Sequence, residues 1–95
     1  DPVDRLAELR TMAVSRMAEV QGKLFDYLES SPKISNDEVK AMYHEYLRWN
    51  LIAGVDLEFE IKTAKELFPK IIKKVGGNGI VDDDVLSSML EGLNI

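Results

Sequence analysis

The single histidine, His44, is the side chain in this 95-residue sequence best suited to proton transfer, because histidine gains and loses a proton near neutral pH. A helical zinc site or general base would have a metal ligand or a carboxylate one turn away. The sequence has Lys40 and Arg48 at those positions, and neither serves that purpose. The spacing instead predicts a short basic stripe of Lys40, His44 and Arg48 along one side of a helix.

The other groups that could do chemistry form no recognisable site. There is no cysteine, so a disulfide, a thiolate nucleophile and a cysteine zinc site are all excluded. No serine lies in a nucleophile-elbow pattern, and the glycine-rich run 76–79 lacks the Lys-Ser or Lys-Thr of a phosphate loop. Asp82, Asp83 and Asp84 suit the positive end of a helix better than a metal ion, because consecutive side chains point in different directions. We therefore predict no catalytic residue, metal site, cofactor or small-molecule substrate.

Lysines give one segment a charge opposite to that of the whole chain. The net charge is -5, but residues 61–79 carry +4 between -3 for residues 55–60 and -4 for residues 80–95. A lysine face on a helix can contact phosphates, as in a helix-turn-helix. Nucleic-acid binding is thus one predicted function, with contacts from Lys62, Lys65, Lys70, Lys73, Lys74, Lys40 and Arg48.

Local signals in the first half of the chain predict two helices. Asp1 is a suitable N-cap before Pro2, so helix 1 should cover about residues 2–29 and end before Pro32. Ser35 with Glu38 forms a capping-box pattern, so helix 2 should cover about residues 36–53. Gly54 follows directly and is well placed as the glycine that ends this helix.

The second half predicts two further helices, at about residues 57–75 and 83–93, with a kink or break at Pro69. An alternative is a hairpin in which residues 71–75 and 80–81 pair as strands around Asn78-Gly79. The fold class is therefore all-α, a small bundle of four helical segments in one domain over residues 1–95. The hairpin would instead make it a helix-rich winged helix-turn-helix.

Apolar residues predict the core and an uncovered surface. The predicted core stripes are Leu6, Ala13, Met17, Val20, Leu24 and Leu28 in helix 1, and Val39, Met42, Tyr43, Tyr46 and Trp49 in helix 2. Helix 1 would be about 42 Å long and helix 2 about 27 Å, at 1.5 Å per residue. The longer helix should overhang, leaving Val3, Leu6, Leu9 and Met12 for a protein partner or for self-association.

These patterns predict a non-enzymatic module that acts through protein contacts as a regulator, adaptor or assembly domain. No apolar run is long enough to span a bilayer, so we expect a soluble, cytoplasmic chain with no membrane partner. Nucleic-acid binding is the alternative function.

The alternative is tested by titrating labelled DNA and RNA with the protein at about 50 mM and about 200 mM salt. If the lysine face binds phosphates, affinity at low salt falls steeply with added salt. Replacing Lys70, Lys73 and Lys74 with glutamate then abolishes binding. Absence of binding at low salt, or binding indifferent to these replacements, contradicts it.

Overall fold

The first helix, α1, covers Pro2–Ser30 in a computed structural model that describes residues 1–63, 66 and 83–92. Its N-cap is Asp1, whose Oδ1 accepts a hydrogen bond from the backbone N–H of Val3 at 3.1 Å. It ends one residue beyond the predicted end, where Ser31 adopts an extended conformation before Pro32.

The second helix, α2, covers Asn36–Ala53. Ser35 Oγ accepts from the N–H of Glu38 at 3.4 Å, as a capping box requires. In a complete capping box the Glu38 side chain would accept from the N–H of Ser35. Here that N–H donates instead to the Tyr27 hydroxyl of α1 at 2.7 Å. At the other end, Gly54 has a φ of +87°, and the N–H groups of residues 54 and 55 return to the carbonyls of residues 51 and 50. These bonds form a Schellman motif.

Two further helices follow. Residues 57–63 are helical and belong to the helix named α3 here; Asp56 precedes them, and its Oδ1 accepts from the N–H groups of Glu58 and Phe59 at 3.1 and 3.3 Å. The last helix, α4, covers Asp83–Leu90. It ends at Leu90, before the predicted end at about residue 93, because a turn follows at residues 91–92 and Gly92 has a φ of +82°. Pro69 and the alternative hairpin over residues 71–81 lie outside the described residues.

The all-α fold class is confirmed, since the described residues fold mainly as helices, with no strand among them. The 31–35 connection reverses the chain, so α1 and α2 pack antiparallel, and α4 packs on α2. One buried cluster joins α1, α2, α3 and α4: Leu24, Leu28, Val39, Tyr43, Leu47, Ile61, Val85 and Met89.

Two tyrosines of α2 tie the core to α3. Tyr43 is fully buried, and its ring stacks on that of Tyr46 with centroids 6.2 Å apart. Tyr46 donates from its hydroxyl to Glu60 Oε1 at 3.1 Å. Burial, with the nearby charge of Glu60, raises the pKa of both phenols. The aromatic residues of α2 are thus core or half-buried, and Trp49 is also half-buried.

Replacing a glycine with alanine should have opposite effects on the free energy of unfolding at two positions. Gly54→Ala should lower the free energy of unfolding by about 1–2 kcal/mol, because a Cβ is strained at this positive φ. Gly22→Ala should raise it by about 0.5–1 kcal/mol, since position 22 is in the interior of α1 with no atom within 4 Å of the new Cβ. Urea unfolding followed by circular dichroism measures both. Equal shifts of the same sign would contradict the assigned backbone conformations.

Candidate protein interface

The first three turns of α1 lie outside the bundle. Every residue from 1 to 12 is exposed, and Ala13 is the first buried residue of the chain. The end of α2 lies beside Arg10, because a Cβ placed on Gly54 would be 3.8 Å from Arg10 Nε. About nine residues of α1 therefore extend past α2, which is about 13 Å of helix.

Apolar side chains continue along this extension. Val3 is 71% exposed, Leu6 48%, Leu9 49% and Met12 43%; these four residues form what we term the overhang face. Helical spacing places Leu6 and Leu9 on the same side of α1 as Ala13, Val20 and Leu24. That side is buried at Ala13, Val20 and Leu24, whereas at Leu6 and Leu9 no described element covers it.

Charges of both signs lie beside the overhang face. An open depression there is lined, among the described residues, by Asp1, Pro2, Arg5, Leu6, Glu8, Leu9 and Met12. The ion pairs of the described chain are Arg16–Glu19 at 3.1 Å, Lys23–Glu19 at 3.6 Å and Lys40–Glu91 at 3.6 Å. Arg5 and Glu8 take part in none of these pairs, although they are one helical turn apart.

Arg10 differs from Arg5 because its side chain lies beside the end of another helix. The last turn of α2 contains no basic residue to complement its negative end. The Arg10 side chain from α1 lies next to Gly54, where it supplies that positive charge. Asp4, Arg5 and Glu8 are exposed and take part in none of these ion pairs.

The predicted basic residues that the structure describes lie on α2 and α3. Lys40 pairs with Glu91 at 3.6 Å and so links α2 to the residue after α4. His44 is half-buried, and its Nε2 is buried with no hydrogen-bond partner among the described residues. Arg48 and Lys62 are exposed. The other four lysines, Lys65, Lys70, Lys73 and Lys74, lie outside the described residues. Nucleic-acid contact stays a prediction.

Sequence reasoning missed two features of α2. Asn50 is fully buried, and its Nδ2 donates to the carbonyl of Tyr46 at 2.7 Å. Leu51 and Ile52 are exposed instead, as are Val14 of α1 and Phe59 of α3. The spacing of the buried residues could have predicted the burial of Asn50, since Val39, Tyr43, Leu47 and Asn50 are three or four residues apart. Leu51 and Ile52 lie off that side.

The described residues include no group of three or more histidine, aspartate or glutamate side chains placed to hold a metal ion. Likewise, none of the helices in the described ranges combines the length and apolar character needed to cross a bilayer. No protein-family model matches the chain, and neither a curated protein nor a solved structure is similar to it.

The overhang face should contribute little to the stability of the isolated chain. Replacing Leu6 and Leu9 together with glutamine should change the free energy of unfolding by less than about 0.5 kcal/mol, because both side chains are already exposed and glutamine also favours helix. The matched control is Leu24→Ala on the same side of α1, where burial predicts a loss of about 2–5 kcal/mol. Urea unfolding at low micromolar protein measures both. A loss above about 2 kcal/mol for the double variant would show that the fold covers these leucines.

Proposed function

We propose that this chain is a non-enzymatic protein-interaction module, a regulator, adaptor or assembly domain, whose binding surface is the overhang face of α1. The observation that carries the proposal is the change in environment along one side of a single helix. Leu24 is 1% exposed beneath α2, whereas Leu6 and Leu9, on the same side, are about half exposed.

The exposed leucines have the geometry of a helix-recognition surface. Helix-in-groove contacts are read by apolar anchors three or four residues apart, and Leu6 and Leu9 have this spacing, with Val3 and Met12 flanking them on either side. The α1 helix continues without interruption from this face into the core, so the anchors are held on a rigid element. A partner would therefore meet a preformed surface, which lowers the entropic cost of binding.

The open depression beside the overhang face supports an interaction role more than catalysis. It is lined by apolar and charged residues of α1 and its N-cap, and among these no nucleophile lies beside a general base. The chain also has no cysteine, a composition compatible with the reducing cytoplasm, where we place it.

Photo-cross-linking in the source cells tests the proposal. Benzoylphenylalanine in place of Leu9 should give one discrete adduct of the chain with a protein, because Leu9 lies inside the proposed interface. Adding Leu6→Gln to the same chain should reduce that adduct at least tenfold, since it removes a neighbouring anchor.

The matched control carries the same photoreactive residue in place of Leu51, which is also exposed and apolar but lies on α2. It should not give this adduct. If no adduct forms at position 9, or if position 51 gives the same one, the overhang face is not the binding surface and the proposal is wrong.

A further inference from the structure

We propose that Met12 is a site of reversible oxidation, and that conversion of its thioether to the sulfoxide by a peroxide weakens binding at the overhang face. This inference rests on the proposed function and assigns a means of regulating the same surface. It is carried by the position of Met12, which is exposed and lines the open depression together with Leu6 and Leu9.

The four methionines of the chain differ in their exposure to solvent. Met12 is 43% exposed, whereas Met89 is fully buried in the core. Met17 and Met42 are between these extremes, since each is half-buried. An oxidant must reach the sulfur to react with it, so susceptibility follows exposure. Met12 should therefore react first and Met89 last.

The reaction of the Met12 thioether with hydrogen peroxide needs no further co-reactant. A lone pair of the sulfur forms an S–O bond with one peroxide oxygen while the O–O bond breaks. The transferred oxygen gives its proton to the departing hydroxide, which leaves as water. The sulfur loses two electrons and the peroxide gains them. Methionine sulfoxide reductases return the sulfoxide to the thioether, so the modification is reversible.

A sulfoxide at position 12 changes the chemistry of the overhang face. Because Met12 and Leu9 line one depression, a partner segment seated there would contact both side chains. The sulfoxide oxygen accepts hydrogen bonds from water, and a partner that covers it removes that water. Burial of a polar group without a new hydrogen bond is unfavourable. The sulfoxide is also polar and chiral, so it loses the adaptable apolar packing of the thioether.

Oxidation of Met12 should leave the fold intact. Met12 precedes Ala13, which is the first buried residue of α1, and its side chain is exposed. A sulfoxide at this position therefore remains in water in the isolated chain. At Met89 the same change would place a polar group inside the buried cluster. Modification of Met12 thus acts on binding, with stability unchanged.

Peptide mass spectrometry of the 95-residue chain treated with hydrogen peroxide tests the site. Cleavage after lysine and arginine leaves each methionine in a peptide of its own, with Met12 in residues 11–16 and Met89 in residues 75–95. Met12 should gain one oxygen at least about tenfold faster than Met89, while circular dichroism shows unchanged helix content. Equal rates at the two positions, or loss of helix when Met12 alone is oxidised, would overturn the inference.

Photo-cross-linking from position 9 tests the consequence for binding. The purified chain with benzoylphenylalanine in place of Leu9 is oxidised at Met12, freed of peroxide and irradiated in a lysate of the source cells. Oxidation should reduce the adduct at least about tenfold, because the partner would bury an unpaired sulfoxide oxygen. Treatment with a methionine sulfoxide reductase should restore the adduct.

The matched control carries Met12→Leu in the same photoreactive chain. Leucine keeps position 12 apolar but cannot be oxidised, so the same peroxide treatment should leave this adduct unchanged. Met12→Gln should reduce the adduct without any oxidant, because its amide places a polar group at the same position.

The outcomes separate this inference from the proposed function. If oxidation of Met12 leaves the adduct unchanged, the proposed function stands and regulation through Met12 is wrong. If the Met12→Leu chain loses its adduct on oxidation as well, a different residue is responsible and the inference is overturned. If the unoxidised chain gives no adduct at position 9, the proposed function fails and this inference fails with it.

Discussion

The seam between α1 and α2 is the contact on which the rest of this molecule depends. Leu24 and Leu28 of α1 pack with Val39, Tyr43 and Leu47 of α2, and all five side chains are buried. Val85 and Met89 of α4 and Ile61 of α3 join this same cluster and form no separate core. A chain of 95 residues has apolar area for one such core, so loss of the seam would leave the shorter segments without a surface to pack on.

The lengths of the two helices set the limit of the seam. Helix α1 has 29 residues and α2 has 18, and α2 ends near Arg10, at its Schellman turn around Gly54. The apolar pattern of α1 does not end there, and Leu6 and Leu9 continue it into solvent. Apolar area left beyond a core is surface that another protein can bury, which is the physical basis of the proposed binding role.

The fold was largely predictable because its helix ends are marked locally. Asp1, Ser35 and Gly54 act within a few residues of their own positions, and the structure uses each of them at a helix end. The overhang residues were also predictable, since helix length and spacing suffice to locate them. The partners of individual polar groups were not. The N–H of Ser35 bonds Tyr27 of α1, and Lys40 pairs with Glu91 near the end of α4.

By itself, the sequence determined where the described helices begin, which sides of them are apolar and that α1 is too long for α2. These properties depend on capping, turn chemistry and a period of 3.6 residues, all of which act over short distances. Only the tertiary structure decided that Asn50 is buried while Leu51 is exposed, that Arg10 serves the end of α2, and that Arg5 and Glu8 have no pair in the described fold. Those outcomes depend on how one helix is rotated and shifted against another, which is set by packing across the whole seam.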